Sequence, residues 1–413
     1  MPTLYRPYDV SRDEFYKARY GYDYQIGGAS AYFIIRKAVS NLMLRVLYDD
    51  QIFSYQAYGG ISKFYIELFR RYYSDIDICP ILALGDTDNP VIGRMPVFQQ
   101  GSCRWGPLRR KAVQMYDQHL HKNHGRELNR RASVKLLRGS DFDVFHPTYY
   151  DPYFLQHLGG KPYVLTVHDM IYEIFFPEEK KSIDWKRQAV EAADSIVTVS
   201  ETTRRDVLRF YDLDPSQVEV IHLGAPSILT GEPIVSPHAR YVLYIGNRTA
   251  YKNYSAFVEG LAPLLKRDPS LNVVCGGGPP FNQGELRDIE KLGIGRQVRH
   301  VMVTEESLPE LYRNALAFVF PSLYEGFGLP ALEAMANLCP AILSDRASLP
   351  EVGGSAALYF DPEDSDGMRS VVESVIYDQD CRADMVRRGR ARAAEFPWDR
   401  TADEYKAIYR ELA

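Results

Sequence analysis

The stretch Phe318-Val319-Phe320-Pro321-Ser322-Leu323-Tyr324-Glu325-Gly326-Phe327-Gly328-Leu329-Pro330-Ala331-Leu332-Glu333-Ala334-Met335 decides the reading of this chain. An apolar strand pattern ends at Pro321, and a glycine-bearing loop follows. Pro330 suits the first residue of a helix, where its missing N–H costs nothing. The loop's backbone N–H groups then converge at a helix N-terminus, a site for a diphosphate or for sugar hydroxyls. Glu325 lies in the loop and Glu333 in the first turn of the helix, so both carboxylates face the same mouth. A carboxylate accepts two hydroxyl hydrogen bonds at once, which suits the vicinal diol of a ribose or hexose. Acids that merely favour a helix dipole would account for Glu333 alone. Two glutamates eight positions apart around Gly-Phe-Gly-Leu-Pro point instead to binding.

Working outward, strands alternate with helical patterns on both sides of this stretch. Strands are expected at 43–48, 142–146, 163–169, 195–200 and 218–222, then at 241–245, 272–275, 298–303, 317–320 and 341–343. Ser200 is placed to cap a helix beginning near Glu201. Residues 224–240, with Pro226, Gly231, Pro233 and Pro237, read as a linker. Such alternation implies parallel sheets with helices on both faces. The expected fold is α/β, with two doubly wound, Rossmann-like domains facing a cleft. The domains are drawn as an N-terminal extension 1–41, an acceptor-side domain 42–236 joined by a C-terminal helix 398–413, and a nucleotide-sugar domain 237–397. Ligands of such sheets bind beyond the carboxyl ends of the strands.

Other candidates fall at those ends. Gly246-Asn247-Arg248-Thr249-Ala250-Tyr251-Lys252 follows a strand, and its two cations suit a diphosphate leaving group, against the alternative of a solvated basic loop. Val167-His168-Asp169 ends another strand; Asp169 is expected to orient His168 or to cap the next segment. Gly59-Gly60 lies in the first strand–helix connection, where glycines alone mean only a turn. Weaker candidates are Gly276-Gly277-Gly278-Pro279 and Val303-Thr304-Glu305-Glu306-Ser307-Leu308, in which Thr304 can cap a helix.

Composition bounds the rest. At 413 residues the chain exceeds one ordinary core. A net charge of −5 gives no global sign of nucleic-acid binding. Thirty tyrosines are compatible with sugar binding. The five cysteines form no CxxC pair, so neither a disulfide framework nor a zinc site is implied, and a reducing compartment is expected. The N-terminus has no signal-peptide pattern and no run of about 18 apolar residues occurs, so a cytoplasmic location is expected. Segment 104–138 carries ten Lys/Arg against Asp117 and Glu127. It reads either as a peripheral contact with an anionic membrane or as a solvated helix pair.

The Glu325/Glu333 motif resembles the E-x7-E signature of retaining glycosyltransferases of the GT-B fold, family four (group 1), and in particular bacterial mannosyltransferase-like members. The resemblance extends over residues 43–413. It implies that Glu333 holds the donor ribose, while Glu325 and the amides of Gly326, Phe327, Gly328 and Leu329 hold the transferred sugar and distal phosphate. It makes Arg248 and Lys252 a phosphate clamp and puts His168 against the donor sugar near the anomeric carbon. Gly59 and Gly60 would let the N-domain loop approach the donor phosphate, and Leu308 would pack on the base. The implied catalytic set is His168, Arg248, Lys252 and Glu325. The implied reaction is hexose transfer with retention, with no cofactor, no metal and no dedicated side-chain base. Mannose from GDP-mannose is the first expectation for the donor and a UDP-hexose the alternative. The partner is a saccharide or lipid-linked acceptor, in surface polysaccharide biosynthesis. Competing readings are a dinucleotide-dependent oxidoreductase, which lacks GxGxxG after a strand, a nucleotide-sugar epimerase, and a non-catalytic sugar-binding scaffold.

Overall fold

A computed structural model describes residues 43–56, 59–75, 77–85, 87, 89, 91–95, 124–228 and 240–413. The N-terminal extension 1–41, most of the linker and residues 104–123 of the basic segment lie outside the described residues. Residues 44–413 form one unit. Its strands are β1 (Leu44–Tyr48), β2 (Ile78–Leu82), β3 (Val144–His146), β4 (Val164–Val167), β5 (Ser195–Thr198) and β6 (Val218–Val220), then β7 (Arg240–Ile245), β8 (Leu271–Gly276), β9 (Val298–Val301), β10 (Ala317–Phe320), β11 (Ala341–Ser344) and β12 (Leu358–Phe360).

In the first half, β2-β1-β3 and β4-β5-β6 are parallel sheets, linked by a parallel bridge between Phe145 and Tyr163. In the second half the order is β12-β11-β10-β7-β8-β9, again all parallel. Helices cover both faces, so central strands such as β4, β10 and β11 are buried end to end and read as unbroken apolar runs. Chain order reverses between β1 and β3 and between β7 and β10, the switch points where ligands of such sheets bind. Sequence reading misses two strands, β2 and β12. Both are edge strands, and β2 carries Pro80, which an edge tolerates and a central strand does not.

The chain passes between the halves twice, side by side. Ala225 N–H donates to Phe396 O at 2.7 Å. A Cβ on Gly224 would lie 2.3 Å from Trp398 Cγ, so a side chain there would displace the second passage. The C-terminal helix Trp398–Leu412 then packs on the first half. Tyr409 and Tyr48 hydroxyls meet at 3.0 Å, Tyr72 donates to Ala402 O at 2.8 Å, and Lys406 pairs with Asp75 at 2.5 Å.

Candidate functional site

The loops after β7 and β10 meet at the second switch point, where Leu323 N–H donates to Tyr251 O at 2.8 Å. Gly328 turns the chain into the helix Leu329–Ala336 with φ +99°, and a Cβ there would lie 2.6 Å from Leu349 Cδ2. A Cβ on Gly326 would lie 1.8 Å from His168 O, so only glycine lets this loop rest on the end of β4. Hydroxyls clamp the loop from both halves. Ser200 and Thr203 donate to Gly326 O at 2.6 and 2.9 Å, and Ser348 donates to Glu325 O and Phe327 O, each at 2.8 Å. Ser200 also accepts Thr203 N–H at 3.0 Å, the expected cap of Glu201–Phe210.

Two buried carboxylates follow, each with its own lysine: Glu325 in the loop, and Glu333 at the fifth residue of the helix Leu329–Ala336 rather than in its expected first turn. Lys252 donates to Glu325 Oε1 at 2.6 Å. Glu333 accepts from Lys63, on the first-half helix Gly60–Tyr72, and from Tyr312 OH at 3.2 Å. Burial works against the charge on both lysines. The facing glutamates outweigh it and hold each lysine above its usual pKa. The Lys63–Glu333 pair spans the two halves.

Arg248 goes elsewhere. It donates to Glu285 Oε1 at 2.6 Å and to Pro279 O at 2.6 Å, and lies over the Phe281 ring at 4.9 Å. Its Nη1 is buried without a hydrogen-bond partner among the described residues. Of the two expected clamp cations, therefore, Lys252 contacts a signature carboxylate and Arg248 is anchored on the Gly276–Glu285 side of the loop through Glu285.

His168 is buried just beyond β4, with its ring edge-on to Phe64 at 5.3 Å. Its backbone N–H donates to Tyr150 OH at 2.9 Å, while its Nε2 has no partner among the described residues. Burial, then the charge of Lys186, lowers its pKa to about 3, so the imidazole is neutral at physiological pH. Asp169 accepts Ile171 N–H at 3.0 Å and so caps the next segment.

The remaining candidates divide. Gly60 opens its helix in open space, with nothing within 4 Å of where a Cβ would sit, whereas a Cβ on Gly59 would strike Gln56. Phe327 and Leu329 contribute only backbone to the loop's mouth: Phe327 packs against His222 and Phe396, and Leu329 joins the core. Leu308 begins the helix Leu308–Arg313 and packs partly buried on the same core. Thr304 and Ser307 cap each other there. Sequence reading misses Lys63, Tyr312 and Glu285. No local motif flags them, because each acts on a residue far along the chain.

The described part of the basic segment is the helix His124–Gly139. Arg130 pairs with Asp151 at 2.7 Å, and Arg126 donates to Ser54 O at 2.9 Å. These two cations serve the first half's own loops. Among the described residues no group of three or more His, Cys, Asp or Glu side chains converges, and no helix is long and apolar enough to cross a membrane.

Residues 234–392 match the family described as glycosyl transferases group 1, and residues 104–226 match glycosyltransferase family 4. The chain is 29% identical over 309 residues to the O-antigen chain mannosyltransferase B of Escherichia coli, covering 68% of this chain and 79% of that protein. It is 30% identical over 293 residues to an alpha-maltose-1-phosphate synthase of Mycolicibacterium smegmatis, covering 62% and 74%. Among solved structures, Anabaena HepE in complex with UDP and glucose superposes with a TM-score of 0.65 at 14% identity, covering 89% of this chain and 99% of that one.

Proposed function

The chain belongs to the group 1 glycosyl transferases of family 4 and has their GT-B fold, and from that premise we propose that it moves mannose from GDP-mannose to a saccharide or lipid-linked acceptor, with retention and without a metal. The carrying observation is the pair of buried glutamates, each facing a lysine across the Gly326–Gly328 turn beside His168. The donor proposal draws on the mannosyltransferase relative, whose name also supports the proposal of a surface polysaccharide as product; a place at the cytoplasmic face of a membrane is part of the same proposal.

In this reading Glu333 accepts the ribose hydroxyls and Glu325 those of the transferred sugar. The bond between the anomeric carbon and the phosphate oxygen breaks, and its electron pair leaves with the diphosphate. Lys252, Arg248 Nη1 and the loop amides meet that charge. Neutral His168 serves as a hydrogen-bonding partner to the sugar. The acceptor oxygen bonds the anomeric carbon on the face the phosphate leaves, and its proton passes to the phosphate.

Calorimetric titration with GDP, UDP, ADP, their sugar conjugates and NAD, with and without EDTA, tests this. Tightest binding by the GDP series, indifferent to EDTA and weakened in Glu333→Ala, is expected. Binding of UDP conjugates alone would replace the donor, loss of binding in EDTA would overturn metal independence, and an undiminished Glu333→Ala protein would remove the ribose assignment.

A further inference from the structure

The ends of β1, β3 and β4 carry aromatic side chains that the proposed donor chemistry leaves unused. Tyr55 follows β1 and is 40% exposed. Its ring lies 5.6 Å from that of Tyr149, which follows β3. Tyr172 lies on the helix Ile171–Phe175 that follows β4. The Tyr172 and Phe176 rings are 6.1 Å apart, and Tyr251 closes the series at 6.4 Å from Phe176 and 5.7 Å from Phe175. The helix Ile171–Phe175, which carries Tyr172 and Phe175, has no fully buried residue despite its apolar composition.

The strip starts at the reaction centre. Tyr251 adjoins Lys252, whose ammonium meets Glu325, and Tyr149 adjoins Tyr150, whose hydroxyl holds the His168 backbone. The strip's other members lie on the first half, with Tyr55 the most exposed of the six rings. We propose that this strip is the acceptor subsite, and that its occupant is a glycan chain several pyranose rings long, each ring stacking its C–H face on an aromatic side chain. The proposal rests on the transferase reading and names the acceptor class for it.

The chemistry favours a saccharide over a lipid surface. Four of the six rings are phenols, which offer an apolar face and a hydroxyl together. Asp169, at the end of β4 where it accepts Ile171 N–H, brings a carboxylate to the same strand ends, an acceptor for sugar hydroxyls and a repellent for anionic headgroups. Arg126, which could have served a membrane, lies over Tyr55 at 4.9 Å and bonds Ser54 O.

The test is saturation-transfer NMR with manno- and malto-oligosaccharides of one to four units, with and without GDP. Wild-type protein is compared with the double variants Tyr55→Ala/Tyr172→Ala and Tyr55→Phe/Tyr172→Phe. Affinity should rise with chain length, fall about tenfold for the longer chains in the alanine pair, and persist in the phenylalanine pair, which keeps the stacking faces. GDP affinity by calorimetry should be the same in all three proteins. Failure of both series to bind wild type, or equal binding by the alanine pair, overturns the subsite. So does loss of binding to anionic phospholipid vesicles in the alanine pair with oligosaccharide binding intact. If no nucleotide binds but the length dependence and its loss hold, the transferase reading falls and the glycan strip stands.

Discussion

His146 ends β3 and His168 follows β4, the two strands through which the sheets of the first half meet at the Phe145–Tyr163 bridge, and burial drives both imidazoles to a pKa of about 3. Their surroundings differ. His146 bonds Tyr409 OH through Nδ1 at 2.7 Å and Thr166 Oγ1 through Nε2 at 2.9 Å, and it stacks on Tyr405. His168 leaves Nε2 without a partner among the described residues, beside the loop that carries Glu325. A depressed pKa therefore marks burial in both places, and only the unmatched nitrogen separates a group available to a substrate from one consumed by the fold. His146 belongs to the fastening of the C-terminal helix, whereas His168 belongs to the cleft.

The largest expected effect follows from that separation. In His168→Ala, kcat should fall about 100- to 1,000-fold, the usual loss for one preorganised hydrogen-bonding group. Stability should fall by about 2 kcal/mol for the cavity left beside Phe64, with the activity lost in the molecules that stay folded, since no protein partner of Nε2 is orphaned. Steady-state transfer assays beside a thermal melt check this. Loss of stability and activity in proportion would erase the distinction between the two histidines.

The second effect is the mirror image. His146→Phe keeps the ring volume but strips the hydrogen bonds to Tyr409 and Thr166, leaving these buried hydroxyls only their bonds to Tyr48 and Tyr405. It should cost about 2–3 kcal/mol in chemical denaturation, with kcat per folded molecule unchanged. A large kcat loss in the folded fraction would move His146 into the active machinery.

Legibility in the sequence follows the range of the interaction. Glu325, Gly326, Gly328 and Glu333 are readable because strand end, turn and helix start lie within one short stretch, and His168 is readable as the polar end of an apolar run. The α/β alternation likewise exposes ten of the strands. The pairing of Lys63 with Glu333 is not readable, because it depends on how the helix Gly60–Tyr72 meets the other half. Arg248 reads with Lys252, its neighbour in sequence, while the fold gives it to Glu285. His146 is invisible as a fastening because its main partner, Tyr409, comes from the far end of the chain.

A smaller effect concerns stability against pH. Both histidines have an ordinary value of 6.5 when unfolded and about 3 when folded. Above pH 6.5 both states are neutral and neither residue makes stability depend on pH. Below it the unfolded chain takes up protons that the folded chain refuses, so stability falls by about 1.4 kcal/mol per pH unit for each histidine, down towards pH 3. Denaturation series between pH 6.5 and 4.5 should therefore show a shallower decline in His146→Phe than in wild type, by about one proton's slope. Equal slopes would mean that His146 is not held neutral by burial.

The smallest expected effect is an absence of change, and it bears on His168 alone. If the imidazole acts neutral, its protonation state is constant wherever the assay is run near neutrality, because its folded pKa of about 3 lies far below. Lys252 and Lys63 do not intervene, since their glutamates hold both above the usual lysine value. The kcat profile should then be level between pH 6 and 8, to within about twofold. A histidine serving as a charged electrophile would instead give a limb near its ordinary value, with activity rising as pH falls. Such a limb, present in wild type and gone in His168→Gln, would place a proton on Nε2 during turnover. The difference between the two histidines would then lie in charge, with His146 neutral in the fold and His168 protonated at the sugar.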